Sequence, residues 1–317
     1  MAPVGLERMH VARWLRTMAA LLTATLLAGS GALPVGAGPR PAVDECVLAG
    51  GGDGIPTASG CPPSVSPFCV EDLRERHVQV IYARAPDGED RYELLLPDIR
   101  AHVKLANGVV YREGLVFGRD IRFRMACEAD GEVSVRNVVI GSMRDRDPTW
   151  SSFSILAELK AQGYDRNNVK YLVVIDRTLG GGGWAYPMYY DSRPGPENAN
   201  NNRVAYAVVG KPNFEVMIHE LGHTLGAVQA NAPHSQPNGH CNEGQDYMCY
   251  SDWWQSEPRD ARDLSYNGLR CTDREYFDCG YDDYFNPDPP PGSYLDRHWN
   301  LGRPANGFFE FRPLAAP

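Results

Sequence analysis

A nearly all-apolar stretch in the middle of the chain, Lys170-Tyr-Leu-Val-Val-Ile175, most constrains how this 317-residue sequence can fold. Its β-branched and aromatic residues favour a strand. Because polar residues do not alternate with apolar ones, both faces of that strand are expected to be buried. A strand of this kind needs helices over both sides of its sheet. The stretch therefore predicts the central strand of an α/β domain.

Shorter patterns on either side of this stretch complete the expected architecture. Alternating or β-branched residues predict strands at 77–83, 120–125, 133–140 and 204–209. Apolar residues at helical spacing predict helices at 97–106, 151–163 and 214–226. Strands that alternate with helices indicate a layered α/β domain with crossover helices. After about residue 227, Gly, Pro, Asp and aromatic residues dominate, which predicts an irregular, disulfide-stapled C-terminal subdomain.

The N-terminus has the layout of a secretory signal peptide. Basic residues precede an apolar run at 18–28, and small residues follow it up to Ala37. We therefore expect a signal peptide at 1–37, with a short membrane anchor as the alternative reading. Residues 38–76 are rich in Cys, Gly and Pro and predict an irregular arm or a removable pro-segment, ahead of the main domain at 77–317. No other stretch approaches transmembrane length, so a secreted protein without a membrane partner is expected.

The cysteines agree with export. An even number in an exported chain indicates disulfide bonds, and the eight are Cys46, Cys61, Cys69, Cys127, Cys241, Cys249, Cys271 and Cys279. Equal short spacings favour the pairs Cys241–Cys249 and Cys271–Cys279. The other four would then pair among themselves, in an order that the sequence does not fix.

Composition excludes two classes of protein. Hydrophobic residues make up 43% and charged residues 22% of the chain, which excludes wholesale disorder. The formal net charge is −9 at pH 7, so the chain has no overall basic character with which to attract a nucleic acid. We expect no nucleic-acid partner, and no pattern indicates an oligomeric state.

The segment His219-Glu-Leu-Gly-His223 carries the chemistry. On a helix, two histidines four residues apart lie on one face and can bind one Zn²⁺. Glu220 lies beside the first ligand and can take a proton from a water activated by the metal. Two structural histidines on an ordinary helix are the alternative, but burying these groups unsatisfied would be costly.

From His219 to Gly226 the chain resembles the metzincin metallopeptidases, whose pattern is H-E-x-x-H-x-x-G-x-x-H. The third histidine position holds Gln229 instead. A short insertion after the glycine would bring His234 to the metal, and we predict His234 as the third ligand. His240 and Gln229 remain alternatives.

The resemblance also implies further site residues. Met248 would form a methionine turn beneath the zinc, and Tyr250 would stabilise the oxyanion, unless it merely packs a loop. An edge strand at 183–187 would pair with an extended substrate, or would form a flexible rim. A structural Ca²⁺ could bind the acidic C-terminal segment, for which a solvated loop is the alternative; its acidic residues are Asp278, Asp282, Asp283 and Asp288.

Together these patterns predict a secreted zinc-dependent endopeptidase with a metzincin-like mixed sheet. Its metal ligands would be His219, His223 and His234, and its catalytic residues Glu220 and Tyr250. The partner would be a protein or peptide substrate. A catalytically inactive binding protein on the same scaffold is the alternative, motivated by Gln229, and an amide hydrolase acting on a non-peptide substrate would use the same local chemistry.

Overall fold

The computed structural model describes residues 61–144, 152–176, 182–192, 195–242, 246–249, 265–266, 269–270 and 276–314. The predicted signal peptide, the first part of the N-terminal arm, Tyr250 and Cys271 lie outside these ranges. In the part of the chain that is described, no helix combines the length and the apolar character needed to cross a membrane.

The described chain is an α/β domain. Its helices are α1 (Tyr92–Val116), α2 (Ser152–Ala161), α3 (Phe214–Leu225) and α4 (Tyr294–Arg297). Its strands are β1 (Phe68–Cys69), β2 (His77–Arg84), β3 (Arg119–Met125), β4 (Val135–Val139), β5 (Val169–Ile175), β6 (Gly183–Ala185), β7 (Ala205–Val209), β8 (Ser235–Gln236), β9 (His240–Cys241), β10 (Ser265–Tyr266), β11 (Leu269–Arg270) and β12 (Phe309–Pro313). The predicted layered α/β class is therefore confirmed.

The main sheet is mixed, as predicted. Its strand order is β1-β3-β2-β5-β7-β6, with β12 added to β3 and β4 added to β2. Strands β6 and β12 run antiparallel to their neighbours, whereas the pairs that join β1, β3, β2, β4, β5 and β7 are parallel. Strand β6 is the last in this order, so it forms one edge of the described sheet.

Strand β5 occupies the centre, between β2 and β7, and all seven of its residues are buried. Leu172 and Val174 belong to the core on the side of α1 and α3, whereas Val173 and Ile175 pack with Leu159 of α2 on the other side. The prediction of a strand buried between two helical layers is confirmed. Strand β5 is buried on both sides because neither of its faces is polar.

Helix α1 is much longer than the predicted 97–106, because an Asn-Gly pair within it does not end it. The Asn107 side chain donates to the Val65 carbonyl (3.0 Å) and accepts the Phe123 N–H (2.8 Å). A Cβ on Gly108 would overlap the Pro63 carbonyl oxygen. These two residues therefore serve helix packing rather than helix termination.

The later part of the N-terminal arm is integrated in the domain. Strand β1 pairs with β3, and Cys69 forms a disulfide with Cys127. The Val65 N–H donates to the Lys104 carbonyl of α1 at 3.3 Å. Residues 61–76, the described part of the predicted arm or pro-segment at 38–76, thus pair with the sheet and pack against α1.

The chain after residue 227 is not only loops. Strands β8 and β9 form a short hairpin, and β12 returns to the main sheet beside β3. The predicted Cys241–Cys249 disulfide is confirmed. Cys279 is also disulfide-bonded, but the predicted Cys271–Cys279 pairing falls on a residue outside the described ranges.

The Gly108→Ala variant should test the packing of the arm on α1. The new methyl group would overlap the Pro63 backbone, so we expect a loss of about 1–3 kcal/mol in the free energy of unfolding. Gly141→Ala is the matched control, because its Cβ would meet only the end of the Glu158 side chain, at 3.3 Å. Chemical denaturation of both variants measures the difference. Equal stabilities would show that the arm does not pack against α1 in this way.

Candidate metal centre

Helix α3 carries the predicted motif, and its ends are well defined. The Asn213 side chain caps the first turn by accepting the Val216 N–H at 3.1 Å. Gly226 ends the helix in the left-handed conformation, at φ 85°. The apolar residues of the helix pack on the sheet, which leaves the two histidines on one face.

Three histidines converge at this face. His219 and His223 come from α3, and His240 is the first residue of β9. Their metal-binding nitrogens can all lie within 4.8 Å of one another, and the ring centroids are 4.7–5.3 Å apart. The Nε2 atoms of His219 and His223 are 3.1 Å apart. Two nitrogen ligands of one tetrahedral Zn²⁺ lie about 3.3 Å apart, so this separation suits a shared ion.

The protonation states of the helix histidines also suit a metal. The Nδ1–H group of His219 donates a hydrogen bond to the Tyr247 carbonyl oxygen at 2.7 Å, which leaves the lone pair of the neutral ring on Nε2. Burial lowers the pKa of His219 to about 4 and the pKa of His223 well below its ordinary value. Both rings are therefore neutral at physiological pH, the state in which imidazole binds a metal.

A tight turn places His240 next to His219 and His223. The turn between β8 and β9 contains Asn238 (φ 68°) and Gly239 (φ 77°), both in the left-handed region. A Cβ on Gly239 would lie 3.1 Å from Nδ1 of His223 and 3.0 Å from Pro187. A side chain there would crowd the ring, so the turn needs glycine for its conformation and for its close approach.

Met248 lies against α3 at Gly222, the residue before His223. It is fully buried, and a Cβ on Gly222 would overlap its sulfur atom. The Met248 carbonyl accepts the Cys241 N–H at 3.2 Å, next to the Cys241–Cys249 disulfide. The methionine predicted from the resemblance is therefore packed against the helix at the histidine pair.

Glu220 supplies the carboxylate of the His219–His223 motif, and its side chain is buried, with the residue 5% exposed. Burial raises the pKa of Glu220 to about 8. Its Oε2 atom is buried and has no hydrogen-bond partner among the described residues. A buried carboxylate oxygen without a partner is costly, and a nearby cation would offset that cost and lower the pKa.

The structure does not bring His234 to the other two predicted ligands. Its backbone N–H and its Nδ1 atom face the two carboxylate oxygens of Asp283, at 2.8 and 3.2 Å. Asp282 completes this second group, with Oδ1 3.8 Å from the His234 ring. His234 is thus held by acidic residues of the C-terminal segment. The position of Tyr250 is not described.

Gln229 has a different role from the histidine whose position it occupies. It is 1% exposed, and its Nε2 atom donates to the Met188 carbonyl (2.8 Å) and to the Gly226 carbonyl (2.7 Å). Gln229 therefore ties the end of α3 to the segment that follows β6.

The acidic C-terminal segment has its own hydrogen-bond network. Asp278 is fully buried and accepts backbone N–H groups from Tyr284 and Phe285. Asp246 accepts those of Met248 and Cys279. Burial raises the pKa of both Asp278 and Asp246 well above the ordinary value, and the backbone donors offset part of that effect. Binding of Ca²⁺ to the segment stays a prediction.

No protein-family model matches the chain, and no curated protein sequence matches it. Among solved structures it is similar to wild-type OgpA from Akkermansia muciniphila, with 16% identity over 52% of this chain and 52% of that chain and a TM-score of 0.29. Metalloproteinase-II from Bacteroides fragilis is 16% identical over 65% of this chain and 53% of that chain, with a TM-score of 0.28. Catalytic inactive OgpA in complex with an O-glycopeptide substrate is 15% identical over 52% of this chain and 51% of that chain, with a TM-score of 0.29. The chain spans about half the length of these proteins, and likeness at this level does not identify its family.

The Gln229→Ala variant should separate packing from metal binding. It leaves two carbonyls without their donor, so we expect a loss of about 2 kcal/mol in stability, with the bound metal retained. Gln162→Ala is the control, because the Gln162 side chain donates to the carbonyl of Val139 at an exposed site. Denaturation and elemental analysis measure both quantities. Loss of the metal from a folded Gln229→Ala protein would make Gln229 a ligand.

Relative to Glu220→Gln, the metal-free wild type should lose stability between about pH 6.5 and 8. The pKa of Glu220 is about 8 when folded and ordinarily 4.5, so the folded state holds a proton that the unfolded state releases. The lowered pKa values of His219 and Lys170 have the opposite effect, but both groups are present in the variant too, so the comparison removes their contribution. Unfolding midpoints of both proteins, measured in chelator, should therefore differ by an amount that changes over this range. A difference that does not change with pH would contradict the burial of Glu220.

Proposed function

We propose that this chain is a secreted zinc-dependent endopeptidase. The convergence of His219, His223 and His240 beside the buried Glu220 is the observation that carries the proposal. Three imidazoles that leave one position open are typical of catalytic zinc sites, whereas structural sites are usually closed by four protein ligands. Zinc bound there would supply a Lewis acid that polarises the scissile carbonyl and acidifies water.

The proposed ligands differ from the predicted set in one residue. His240 takes the place of His234, because the His240 ring lies 4.9 Å from that of His223 whereas the His234 ring faces Asp283. The two histidines of α3 are neutral, and His240 comes from a disulfide-anchored hairpin. Together they give a set of nitrogen donors suited to Zn²⁺.

Glu220 is the proposed general base. Its carboxylate would accept a proton from the attacking water and then donate it to the leaving amine. Burial favours the protonated form of this carboxylate, so it can hold the proton between the two steps. Tyr250 is proposed, on the resemblance alone, to donate a hydrogen bond to the oxyanion.

Strand β6 is the proposed binding edge for an extended peptide. The Gly210 N–H donates to the Gly182 carbonyl, and Trp184 is opposite Val208 in the same register. Hydrogen-bonded pairs alternate along an antiparallel ladder, so the N–H and C=O groups of Gly183 and Ala185 point to the open edge. A substrate strand could pair with these groups. A Cβ on Gly183 would lie 2.9 Å from Cγ of Glu220, so this edge passes directly over the proposed base.

Export is proposed from two independent features. The N-terminal pattern is that of a signal peptide, and the disulfides Cys69–Cys127 and Cys241–Cys249 suit an oxidising compartment. The proposed substrates are accordingly extracellular proteins or peptides.

Glu220→Gln should abolish proteolysis without removing zinc. Loss of the base should lower the rate by about 10²- to 10⁴-fold on a pool of fluorescence-quenched peptides, while one zinc per chain remains by elemental analysis. Glu215→Gln, on the first turn of the same helix, is the control and should keep full activity. Equal rates in wild type and Glu220→Gln would exclude this mechanism. A zinc-loaded wild type without any peptidase activity would favour the inactive binding protein.

His240→Ala and His234→Ala should differ in zinc content. We expect about one zinc per chain in wild type and in His234→Ala, and much less in His240→Ala, because a third ligand is needed for tight binding. Circular dichroism should be recorded on both variants, so that loss of metal from a folded chain is told apart from unfolding. Zinc lost from His234→Ala and kept by His240→Ala would restore the ligand predicted from the sequence.

A further inference from the structure

Three aromatic residues form a partly exposed patch at the open edge of the sheet. Phe153 is 70% exposed on α2, and Tyr186, which follows β6, is 49% exposed. Their ring centroids are 5.9 Å apart, and Tyr186 is also 5.9 Å from Trp184 of β6. We call Phe153, Trp184 and Tyr186 the aromatic patch. Grouped apolar rings on the surface of a soluble protein commonly mark a binding site.

The aromatic patch and the metal centre lie on opposite faces of β6. A Cβ on Gly183 would contact Val216 and Glu220 of α3, so this residue faces the metal side. Side chains alternate along a strand. Trp184 therefore faces the other side, where it packs against the core that includes Leu159 of α2. One strand edge thus borders both the proposed active site and the aromatic patch.

A substrate strand on this edge would present its side chains to both faces in alternation. Residues opposite Gly183 and Ala185 would form hydrogen-bonded pairs, with side chains on the α3 side. Residues opposite Trp184 and Tyr186 would place their side chains on the side of the aromatic patch. Directly opposed side chains lie about 5 Å apart and interact.

We propose that the aromatic patch is a specificity determinant, which selects substrates with aromatic or large apolar side chains at alternate positions, on the side away from the metal. This inference rests on the proposed function, because it takes the occupant of the edge to be an extended peptide substrate. The three rings carry no charge, so an acidic side chain would gain nothing there that offsets its desolvation. An aromatic pair of this kind corresponds to a preference of about 3- to 10-fold.

The test compares wild type with Phe153→Ala and Tyr186→Ala on quenched peptide pools. Each pool holds Phe or Asp at one fixed position relative to the cleaved bond, and the ratio of kcat/KM for Phe over Asp is measured position by position. We expect wild type to prefer Phe at alternate positions, and both variants to lose about 3- to 10-fold of that ratio there, with the intervening positions unchanged. Ratios that are the same in wild type and in both variants would overturn the proposal.

Leu94→Ala is the matched control, because Leu94 is 72% exposed on α1 and is also apolar. It should leave every ratio unchanged, and a loss equal to that of Phe153→Ala would overturn the proposal. Because Phe153 is so exposed, its removal should not unfold the domain. Thermal unfolding of each variant checks this point.

A binding measurement separates this proposal from the proposed function. Zinc-loaded Glu220→Gln is titrated with the Phe and Asp peptides and followed by tryptophan fluorescence, with and without the added Phe153→Ala change. Tighter binding of the Phe peptide that disappears with Phe153→Ala would support the aromatic patch, even if wild type cleaved nothing. Absence of any preference would overturn it, whether or not the enzyme is active. Self-association that is abolished by Phe153→Ala would assign the patch to contacts between copies, and would overturn it too.

Discussion

The contact of Met248 with the backbone of α3 at Gly222 is the constraint on which the candidate site depends. The sulfur lies where any side chain at position 222 would be, so the turn at 246–249 can approach the helix only because that residue is glycine. The same turn supplies the Tyr247 carbonyl that orients His219. It also holds β9 through the Cys241–Cys249 bridge, and β9 carries His240. One close approach therefore positions two of the three histidines.

Local sequence signals predicted the elements around the site well. The apolar stretch of β5 and the capped, amphipathic α3 are specified within single segments, so their patterns were sufficient. Lys170 shows a limit even there, because it is fully buried in β5. Its amino group donates to the Arg203 carbonyl at 2.7 Å and lies 5.1 Å over the Phe308 ring, and burial lowers the pKa of Lys170 to about 7. Arg203 and Phe308 are distant in sequence, so no pattern near Lys170 predicts these contacts.

The arrangement of the third histidine depends on tertiary structure, which explains why spacing alone favoured His234. Distance along the chain from His223 is a good guide only if the intervening segment returns directly. Here His234 is held by Asp283, a residue distant in sequence, and the chain forms the β8–β9 hairpin before it reaches His219 and His223. The sequence did contain a usable signal: the predicted Cys241–Cys249 bridge joins the residue after His240 to the residue after Met248. A methionine turn beneath the helix would therefore bring His240 with it.

Gln229 shows why the proposed third ligand can lie on the hairpin rather than at the end of the helix. A neutral histidine has one N–H to donate, whereas the Gln229 amide donates to two carbonyls, those of Met188 and Gly226. The second of these ends α3, and the first belongs to the segment that continues from β6, whose Met188 N–H in turn donates to the His223 carbonyl at 3.1 Å. A glutamine at this position thus fixes the strand edge relative to the histidine helix. Because His240 is supplied by a disulfide-anchored turn, this tie coexists with a third imidazole in the histidine cluster.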